Sequence, residues 1–163
     1  RKRKPFTGFL YAGLMIKDNE PFLIEYNVRM GDPECQVIMP RLKTDLTKLL
    51  FAAVKNKLSK INITWDKKKC MTIVLCSRGY PKKYKKNIII KNLKNVKLNK
   101  NSLIYHAGTY YKEKKYLSNG GRVLNITSMG ADFLKIRKNI IKIIKKINWN
   151  NGFFRKDIGW RII

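Results

Sequence analysis

The sequence predicts an α+β fold, built from antiparallel strands and two helices in two successive parts. Three observations lead to this prediction. Short apolar runs alternate with strong turn signals, as they do in antiparallel hairpins. Two longer segments instead place apolar residues at helical spacing. A polar, lysine-rich stretch over residues 59–69 separates the parts, so we place a domain boundary there, between residues 1–60 and residues 61–163.

The first part begins with a predicted hairpin. Residues 9–16 and 21–26 are apolar and suited to strands, and the polar residues 17–20 between them form the predicted turn. Residues 27–40 then contain a Gly-Asp-Pro run. Because these residue types interrupt regular structure, we expect an irregular loop over this range.

Two segments predict amphipathic helices. Thr44 or Asp45 can cap the first helix, whose apolar residues recur at helical spacing over residues 46–58. Asp132 is expected to start the second helix, in which isoleucines as far as Ile147 lie on the inner side. Each helix therefore has one face that can cover a sheet.

The second part contains the longest series of predicted strands. Residues 71–76 form a short apolar strand, and residues 103–107 and 109–117 are expected to be neighbouring strands. The Ser-Asn-Gly-Gly run at residues 118–121 is a strong turn signal, and its glycines are expected to adopt positive φ. Residues 122–127 form the predicted return strand.

The charge of the chain raises the question of a polyanionic partner. The formal net charge is +27, from 37 Lys and Arg against 10 Asp and Glu, and such a charge favours nucleic acid or an acidic membrane. However, 28 of these residues are lysine, accompanied by 15 Asn and 20 Ile, a combination that A/T-rich coding produces. Base-reading proteins depend more on arginine. A nucleic-acid partner is therefore disfavoured, and a basic nucleic-acid-binding module stays the alternative.

Cysteine usage and hydropathy restrict the class further. Cys35, Cys70 and Cys76 lie far apart, and there is one histidine, so a zinc site is disfavoured. An odd cysteine count argues against a disulfide framework, and we expect reduced thiols in a cytoplasmic protein. No segment approaches the ~20 apolar residues of a membrane helix, so no membrane partner is expected. The first residue is Arg1 and not Met, which suggests a fragment.

One strand end carries residues suited to phosphoryl-transfer chemistry. Side chains alternate along a strand, so Glu25, Asn27 and Arg29 are expected to share one face. A carboxylate beside an amide oxygen is a ligand pair that suits magnesium bound to phosphates. The arginine can meet a developing oxyanion with paired donors. By spacing alone, an exposed polar strand face is the competing interpretation.

The loop that follows adds two carboxylates, Asp32 and Glu34, close to Arg29. Burial of a carboxylate in an apolar segment is costly without a partner or a metal ion. Several ionisable groups within so few residues therefore need mutual compensation, as in many functional sites. A structural salt-bridge cluster remains the other explanation of the same residues.

Seven short motifs are spread along the sequence. They are GFLYAGL (8–14), EYN (25–27), RMGDPECQ (29–36), GYP (79–81), HAGT (106–109), NGGRVL (119–124) and RKDIGWR (155–161). In these motifs and in their order, the chain resembles the phosphoribosylamine–glycine ligase family of ATP-grasp enzymes. The resemblance spans nearly the whole chain.

This resemblance implies an activity and a fold. The family joins glycine to 5-phosphoribosylamine with ATP and Mg²⁺ (or Mn²⁺), by way of a glycyl phosphate, in purine biosynthesis. Residues 1–60 would be the end of an ATP-grasp domain, with antiparallel strands plus a helix. Residues 61–163 would be a small C-terminal domain in which an antiparallel sheet carries helices. The N-terminal part of the enzyme would be missing, so the isolated chain should be inactive and its first hairpin adhesive.

The resemblance also implies roles for individual residues. Glu25 and Asn27 correspond to metal ligands of the family. From charge and position we expect Arg29 to stabilise the acyl phosphate, and Asp32 and Glu34 to orient an amine substrate. Three further residues are expected to bind the substrate phosphate, with ordinary surface charge as the alternative: Arg122, Arg155 and Lys156.

Overall fold

The computed structural model describes residues 5–163 and divides the chain into two compact units. One unit ends at Asp66, and the other covers Lys67–Ile163. The division falls within the lysine-rich stretch. The predicted assignment of residues 1–60 and 61–163 to two particular domains stays a prediction.

The first unit contains the predicted hairpin. Strand β1 (Tyr11–Lys17) pairs with strand β2 (Glu20–Asn27) in antiparallel register. The two residues of the turn, Asp18 and Asn19, have φ values of 51° and 63°. Left-handed backbone at both turn positions matches the right-handed twist of the flanking strands, and aspartate and asparagine tolerate it well. The hairpin prediction is therefore confirmed.

The loop prediction for residues 27–40 is wrong in its second half. A short helix, α1 (Cys35–Ile38), is followed by a 3₁₀ turn over Met39–Arg41. The amide of Cys35 donates to the carbonyl oxygen of Gly31 at 2.9 Å, which joins the helix to the preceding loop. Pro40 lies in the first turn of the 3₁₀ segment, where the amide hydrogen that proline lacks is not needed.

The next helix, α2 (Leu46–Val54), begins where the sequence predicted. The Asp45 carboxylate accepts a hydrogen bond of 2.7 Å from the Lys48 amide and so caps the first turn. The helix ends several residues before the predicted residue 58. The reason is local, because Asn56 adopts φ 55°, a left-handed conformation that a helix cannot continue through.

The second unit contains seven strands and one long helix among its described elements. The strands are β3 (Lys69–Ser77), β4 (Ile89–Ile90), β5 (Ser102–His106), β6 (Thr109–Lys112), β7 (Lys115–Ser118), β8 (Arg122–Gly130) and β9 (Gly152–Phe153). They form a four-stranded sheet in the order β5-β8-β3-β9 and a three-stranded sheet in the order β4-β7-β6. All the pairings are antiparallel, which confirms the predicted α+β class.

Two strand predictions in this unit are wrong. Residues 109–117 are not one strand but the hairpin of β6 and β7, whose turn is made by Glu113 and Lys114 with φ values of 50° and 61°. No glycine or asparagine marks that turn in the sequence. The predicted return strand pairs with β3 and β5 and not with the strand before it. β8 thus lies between β5 and β3 in the four-stranded sheet, where its residues 123–128 are buried.

The expectation of positive φ at residues 119–121 is also wrong, because the positive-φ glycines of the described chain lie elsewhere. Glycine is needed here for close approach. A β-carbon on Gly108 would lie 2.6 Å from the carbonyl oxygen of Arg122 and 2.7 Å from the Cα atom of Gly120. Two backbone segments therefore cross at a distance that excludes side chains.

Gly108→Ala is expected to destabilise the second unit by about 1–3 kcal/mol, because backbone atoms must move apart to admit the methyl group. The measurement is urea unfolding followed by tryptophan fluorescence. Gly130→Ala is the control, since its methyl group would meet only the Ile136 side chain, at 3.1 Å. Equal losses in the two variants would contradict the backbone-crossing explanation.

Helix α3 (Phe133–Lys146) packs against β3 and β8 of the four-stranded sheet and completes the core of the second unit. The Asp132 carboxylate caps it, accepting a hydrogen bond of 2.8 Å from the Lys135 amide. The predicted inner face is confirmed by the buried residues Ile136, Ile140, Ile143 and Ile144. No helix in the described part of the chain has both the length and the apolar character needed to span a bilayer.

Candidate functional site

The end of β2 brings together the three side chains that the sequence singled out. Glu25 and Asn27 lie two residues apart on β2, and Arg29 follows the strand. The Asn27 amide nitrogen Nδ2 donates to Glu25 Oε1 at 3.0 Å, and Arg29 Nη2 donates to Asn27 Oδ1 at 3.2 Å. The three side chains therefore converge on one side of the strand end.

Neighbouring atoms keep this cluster in place. Arg29 Nη1 also donates to the carbonyl oxygen of Met30 at 2.9 Å, which ties the guanidinium to its own backbone. Gly13 lies opposite Glu25 in the register of the hairpin, and a β-carbon there would approach Glu25 Cγ to 3.1 Å. Glycine on the adjacent strand thus leaves room for the carboxylate.

The donor set fits a hard divalent cation. Glu25 offers two carboxylate oxygens, and Asn27 offers one amide oxygen, next to an exposed strand end. Mg²⁺ commonly binds one or two protein oxygens and keeps its other positions for water and phosphate oxygens. The described residues contain no group of three or more His, Cys, Asp or Glu side chains placed to hold a metal ion. A site here would therefore depend on phosphate oxygens from a ligand.

The two carboxylates of the Gly-Asp-Pro-Glu loop each accept a hydrogen bond, one from the following helix and one from β1. Gln36 Nε2 donates to Asp32 Oδ1 at 3.1 Å, and Tyr11 Oη donates to Glu34 Oε1 at 3.2 Å. Gly31 is required beside them, because a β-carbon there would lie 2.4 Å from Glu34 Oε2. The loop therefore folds back against β1.

Tyr11 is a site residue that sequence reasoning missed. It lies opposite Asn27 in the hairpin register, and its hydroxyl contacts Glu34. The negative charge of Glu34 is the main cause of a raised pKa for the Tyr11 phenol, which keeps the phenol protonated and able to donate. Only the register of the hairpin could have revealed this residue, because a tyrosine in an apolar strand carries no signal of its own.

In the second unit, Arg155 is already paired with a carboxylate. Arg155 Nε and Nη2 donate to the two carboxylate oxygens of Asp157 at 3.0 and 2.6 Å, and both side chains are exposed. The carbonyl oxygen of Lys156 accepts a hydrogen bond from Arg137, while the Lys156 side chain is exposed. A substrate phosphate at Arg155 would have to share this arginine with Asp157.

Arg122 begins β8, at the end of the four-stranded sheet where β9 also pairs with β3. It lies opposite Cys76 of β3, and Phe153 of β9 lies opposite Cys76 from the other side. The Ser77 hydroxyl donates to the carbonyl oxygen of Gly120 at 2.7 Å, which holds the turn that precedes Arg122. Two strand spacings amount to about 10 Å. Arg122 and β9, the strand that precedes Arg155 in sequence, therefore lie at the same end of the sheet.

Disruption of the Arg155–Asp157 ion pair should change the titration of Asp157. The hydrogen bond from Arg155 lowers the pKa of the Asp157 carboxyl. The pair therefore stabilises the fold above the ordinary aspartate pKa of about 3.9 and loses this effect as pH falls through the lowered value. An NMR titration should show the Asp157 pKa rising towards its ordinary value in Arg155→Gln. An unchanged pKa would show that the pair does not form in solution.

His106 has the contacts of a structural histidine. Its Nδ1 atom lies 2.7 Å from Thr109 Oγ1, and its ring centroid lies 5.2 Å from that of Tyr116. Both neighbours belong to the adjacent β6–β7 hairpin. Through these contacts His106 joins β5 to that hairpin.

Comparisons with known proteins agree over almost the entire chain. Residues 70–161 match the family described as "Phosphoribosylglycinamide synthetase, C domain". Residues 1–35 match "Phosphoribosylglycinamide synthetase, ATP-grasp (A) domain". The C-domain match alone covers more than half of the chain.

The individual relatives that match the chain carry the name phosphoribosylamine–glycine ligase. "Phosphoribosylamine--glycine ligase, chloroplastic" of Arabidopsis thaliana is 47% identical over 162 residues, which are 97% of this chain and 30% of the relative. The ligase of Agrobacterium fabrum is 44% identical over 159 residues, 98% of this chain and 37% of the relative. A crystal structure of the Thermotoga maritima ligase superposes with a TM-score of 0.75 at 30% identity, covering 91% of this chain and 36% of that one. The chain thus spans about a third of the length of these relatives.

Proposed function

Because this chain belongs to the phosphoribosylglycinamide synthetase family, we propose that it forms the last third of a phosphoribosylamine–glycine ligase. Such an enzyme joins glycine to 5-phosphoribosylamine and converts ATP to ADP and phosphate. The observation that carries the proposal is the convergence of Glu25, Asn27 and Arg29 at the end of β2. Residues 1–60 would complete the ATP-grasp domain, and residues 61–163 would form the C-terminal domain.

The proposed reaction has two balanced steps. A glycine carboxylate oxygen attacks the γ-phosphorus of ATP, ADP leaves, and glycyl phosphate forms. The amine nitrogen of 5-phosphoribosylamine then attacks the acyl carbon, phosphate leaves, and the nitrogen loses a proton to give glycinamide ribonucleotide. Phosphorylation is needed because a free carboxylate has no adequate leaving group. Catalysis then depends on positioning and on charge stabilisation.

Glu25 and Asn27 would hold the divalent cation, Mg²⁺ or Mn²⁺, by carboxylate and amide oxygens. When bound, this cation neutralises charge on the phosphate oxygens that are being transferred. Asn27 Oδ1 accepts from Arg29 in the described geometry, at 3.2 Å. Arg29 would therefore release Asn27 when the nucleotide binds and would face the phosphoryl group instead.

Arg29 would stabilise the acyl phosphate with two parallel hydrogen bonds. In the complete enzyme, Arg29→Lys is expected to lower kcat by about 10- to 100-fold, because an ammonium group keeps the charge but cannot reproduce the planar fork. The measurement is the rate of glycine-dependent ADP release. Arg41→Lys is the control, since Arg41 donates to the carbonyl oxygen of Asp66, away from this cluster. Unchanged turnover in Arg29→Lys would refute the role of Arg29.

Asp32 and Glu34 would orient the amine substrate. Their carboxylates carry the negative charge that attracts an ammonium group, and each is held by a neighbour, Gln36 or Tyr11. Tyr11 would act as a positioning residue, because its hydroxyl fixes the direction of the Glu34 carboxylate and does not itself meet the substrate.

The phosphate of 5-phosphoribosylamine would be bound in the second unit. Arg122, Arg155 and Lys156 are the proposed ligands. The support is that β8, which begins with Arg122, and β9, which precedes Arg155 and Lys156 in sequence, meet at Cys76 of β3. Arg155 would exchange the Asp157 carboxylate for the substrate phosphate, since the planar fork of a guanidinium suits both anions. Asp157 would then hold Arg155 in orientation before the substrate arrives.

The hairpin would belong to a larger sheet in the complete enzyme. Both of its faces carry exposed apolar side chains, including Leu14 at 51%, Phe22 at 56% and Ile24 at 63% exposure. Exposed apolar surface of this extent marks an interface. We propose that the upstream part of the ligase covers it, in a cytoplasmic enzyme. Family membership does not favour the nucleic-acid-binding alternative.

The proposal is tested by comparing the isolated chain with the complete protein in which it occurs. The complete protein should release phosphate only when ATP, glycine, 5-phosphoribosylamine and a divalent cation are all present. The isolated chain should release none, because it lacks the rest of the ATP-binding domain. If phosphate release by the complete protein does not depend on glycine, the proposed activity is wrong.

A further inference from the structure

A concave groove lined by lysines lies beside β4 and β7 in the second unit. Its volume is about 370 Å³, and its charged lining residues are Lys91, Lys94, Lys114 and Lys115. Among the described residues that line it, none is acidic. Like charges that share a concave surface repel one another, and a bound multivalent anion relieves this repulsion. None of the residues proposed for the ligase reaction is among the described residues that line the groove.

The backbone that carries Lys91 and Lys94 is anchored to the core of its unit. The Lys91 amide donates to the carbonyl oxygen of Asn148 at 2.9 Å, and the Asn148 amide donates to the Lys91 carbonyl oxygen at 3.2 Å. Asn92 Nδ2 donates to the carbonyl oxygen of Lys146 at 2.7 Å. Leu93 is buried between the two lysines. The backbone positions of Lys91 and Lys94 are therefore set by the fold before any ligand binds.

Tyrosine rings support the central lysine of the groove. Lys94 Nζ lies 4.5 Å from the ring centroid of Tyr111 and 5.8 Å from that of Tyr116, and it donates to the Tyr111 hydroxyl oxygen. That hydrogen bond is the main cause of a raised pKa for Lys94. The two rings also contact each other, with centroids 4.9 Å apart. Lys94 thus presents a positioned charge, with Tyr111 itself half exposed.

A second group of lysines serves as a comparison, because it shows how a lysine-rich composition alone places lysines on an exposed surface. Lys138, Lys142 and Lys145 lie along the exposed side of α3 and line a shallow depression. No aromatic ring is among the described residues that line this depression. They have the character of a solvated helix face. The ring-supported, anchored arrangement of the groove is therefore not a simple consequence of a lysine-rich sequence.

We propose that the β4–β7 groove binds anions that carry two or more phosphate groups. Linked phosphates carry several negative charges and can offset the charge of more than one of its lysines, whereas a single carboxylate carries one charge. Such anions could be free pyrophosphate or the phosphate chain of a nucleotide. In the second case the base can stack on Tyr111, a residue that is 51% exposed.

The test is calorimetric titration of the 163-residue chain with pyrophosphate and with ADP. The salt concentration is ~0.15 M, because exposed charges more than about 8 Å apart are screened at this ionic strength. The buffer contains no divalent cation, so Glu25 and Asn27 cannot contribute. Two variants each remove three positive charges by substitution with glutamine. The groove variant replaces Lys91, Lys94 and Lys115, and the helix variant replaces Lys138, Lys142 and Lys145.

We expect the groove variant to bind pyrophosphate at least ~10-fold more weakly, and the helix variant less than ~3-fold more weakly, since charges outside the site act only through a screened field. The NMR signals of the Tyr111 ring should shift on binding in the unmodified chain. Equal losses in the two variants, or binding that does not saturate, would overturn the proposal. In the complete enzyme, the groove variant should keep glycine-dependent ADP release within about twofold, which separates the groove from the ligase function.

The two anions identify the source of the phosphates. Tighter binding of ADP than of pyrophosphate, lost in Tyr111→Leu, would assign the groove to nucleotides. Equal affinities, unaffected by Tyr111→Leu, would assign it to free polyphosphates. Both results support the groove as a phosphate site, because both depend on the same lysines.

Discussion

Glu25→Gln should nearly abolish ligase activity in the complete enzyme, with kcat/KM lowered at least ~100-fold, which equals about 2.7 kcal/mol of transition-state free energy. The substitution keeps the shape of the side chain and its hydrogen bond with Asn27, but it removes the charge and one of the oxygens that would bind the cation. The Mg²⁺ concentration needed for half-maximal activity should rise as well. The measurement is ADP release as a function of Mg²⁺ concentration.

Glu20→Gln is the matched control for this experiment. Glu20 begins the same strand, β2, pairs with Lys17 at the turn of the hairpin and is exposed. The same change of charge therefore occurs on the same element but far along the strand from Asn27. Activity and Mg²⁺ dependence should stay within about twofold, as expected for surface substitutions. If both variants lose activity equally, a metal role specific to Glu25 is excluded.

Ile140→Ala should destabilise the second unit by about 2–5 kcal/mol, because a fully buried side chain is lost from a packed interface and a cavity remains. Ile140 has 0% exposure, on the face of α3 that covers the four-stranded sheet. The measurement is urea unfolding followed by fluorescence in a Trp65→Phe background. The remaining tryptophans, Trp149 and Trp160, lie in the second unit, so the signal reports on that unit alone.

Ile141→Ala is the control for the packing prediction. Ile141 is the next residue of the same helix, so helix propensity changes by the same amount, but its side chain is only partly buried. Its loss should cost roughly 1 kcal/mol, in proportion to the smaller apolar area removed from water. A cost for Ile141→Ala that equals that of Ile140→Ala would mean that the two faces of α3 are not distinguished by burial.

The candidate site could be predicted in part because its central residues are close in sequence. Glu25, Asn27 and Arg29 follow strand alternation, so a local rule was enough to place them on one face, and the structure joins them with hydrogen bonds. Tyr11 could not be predicted in the same way. Its position opposite Asn27 depends on hairpin register, and its contact with Glu34 depends on how the following loop folds back.

The sequence by itself determined the elements whose bonds are local: the first hairpin, the helix start at Asp132 and the inner face of α3. It restricted the cap of α2 to Thr44 or Asp45, of which the structure uses Asp45. Such features depend on residues that are close in sequence, because local hydrogen bonds and the periodicity of side chains determine them. Tertiary structure alone decided that β8 pairs with β3 and β5, that residues 109–117 fold into two strands, and that Gly108 and Gly120 meet. Those arrangements are settled by burial of apolar surface between distant segments, and no local pattern encodes which distant strand provides the best partner.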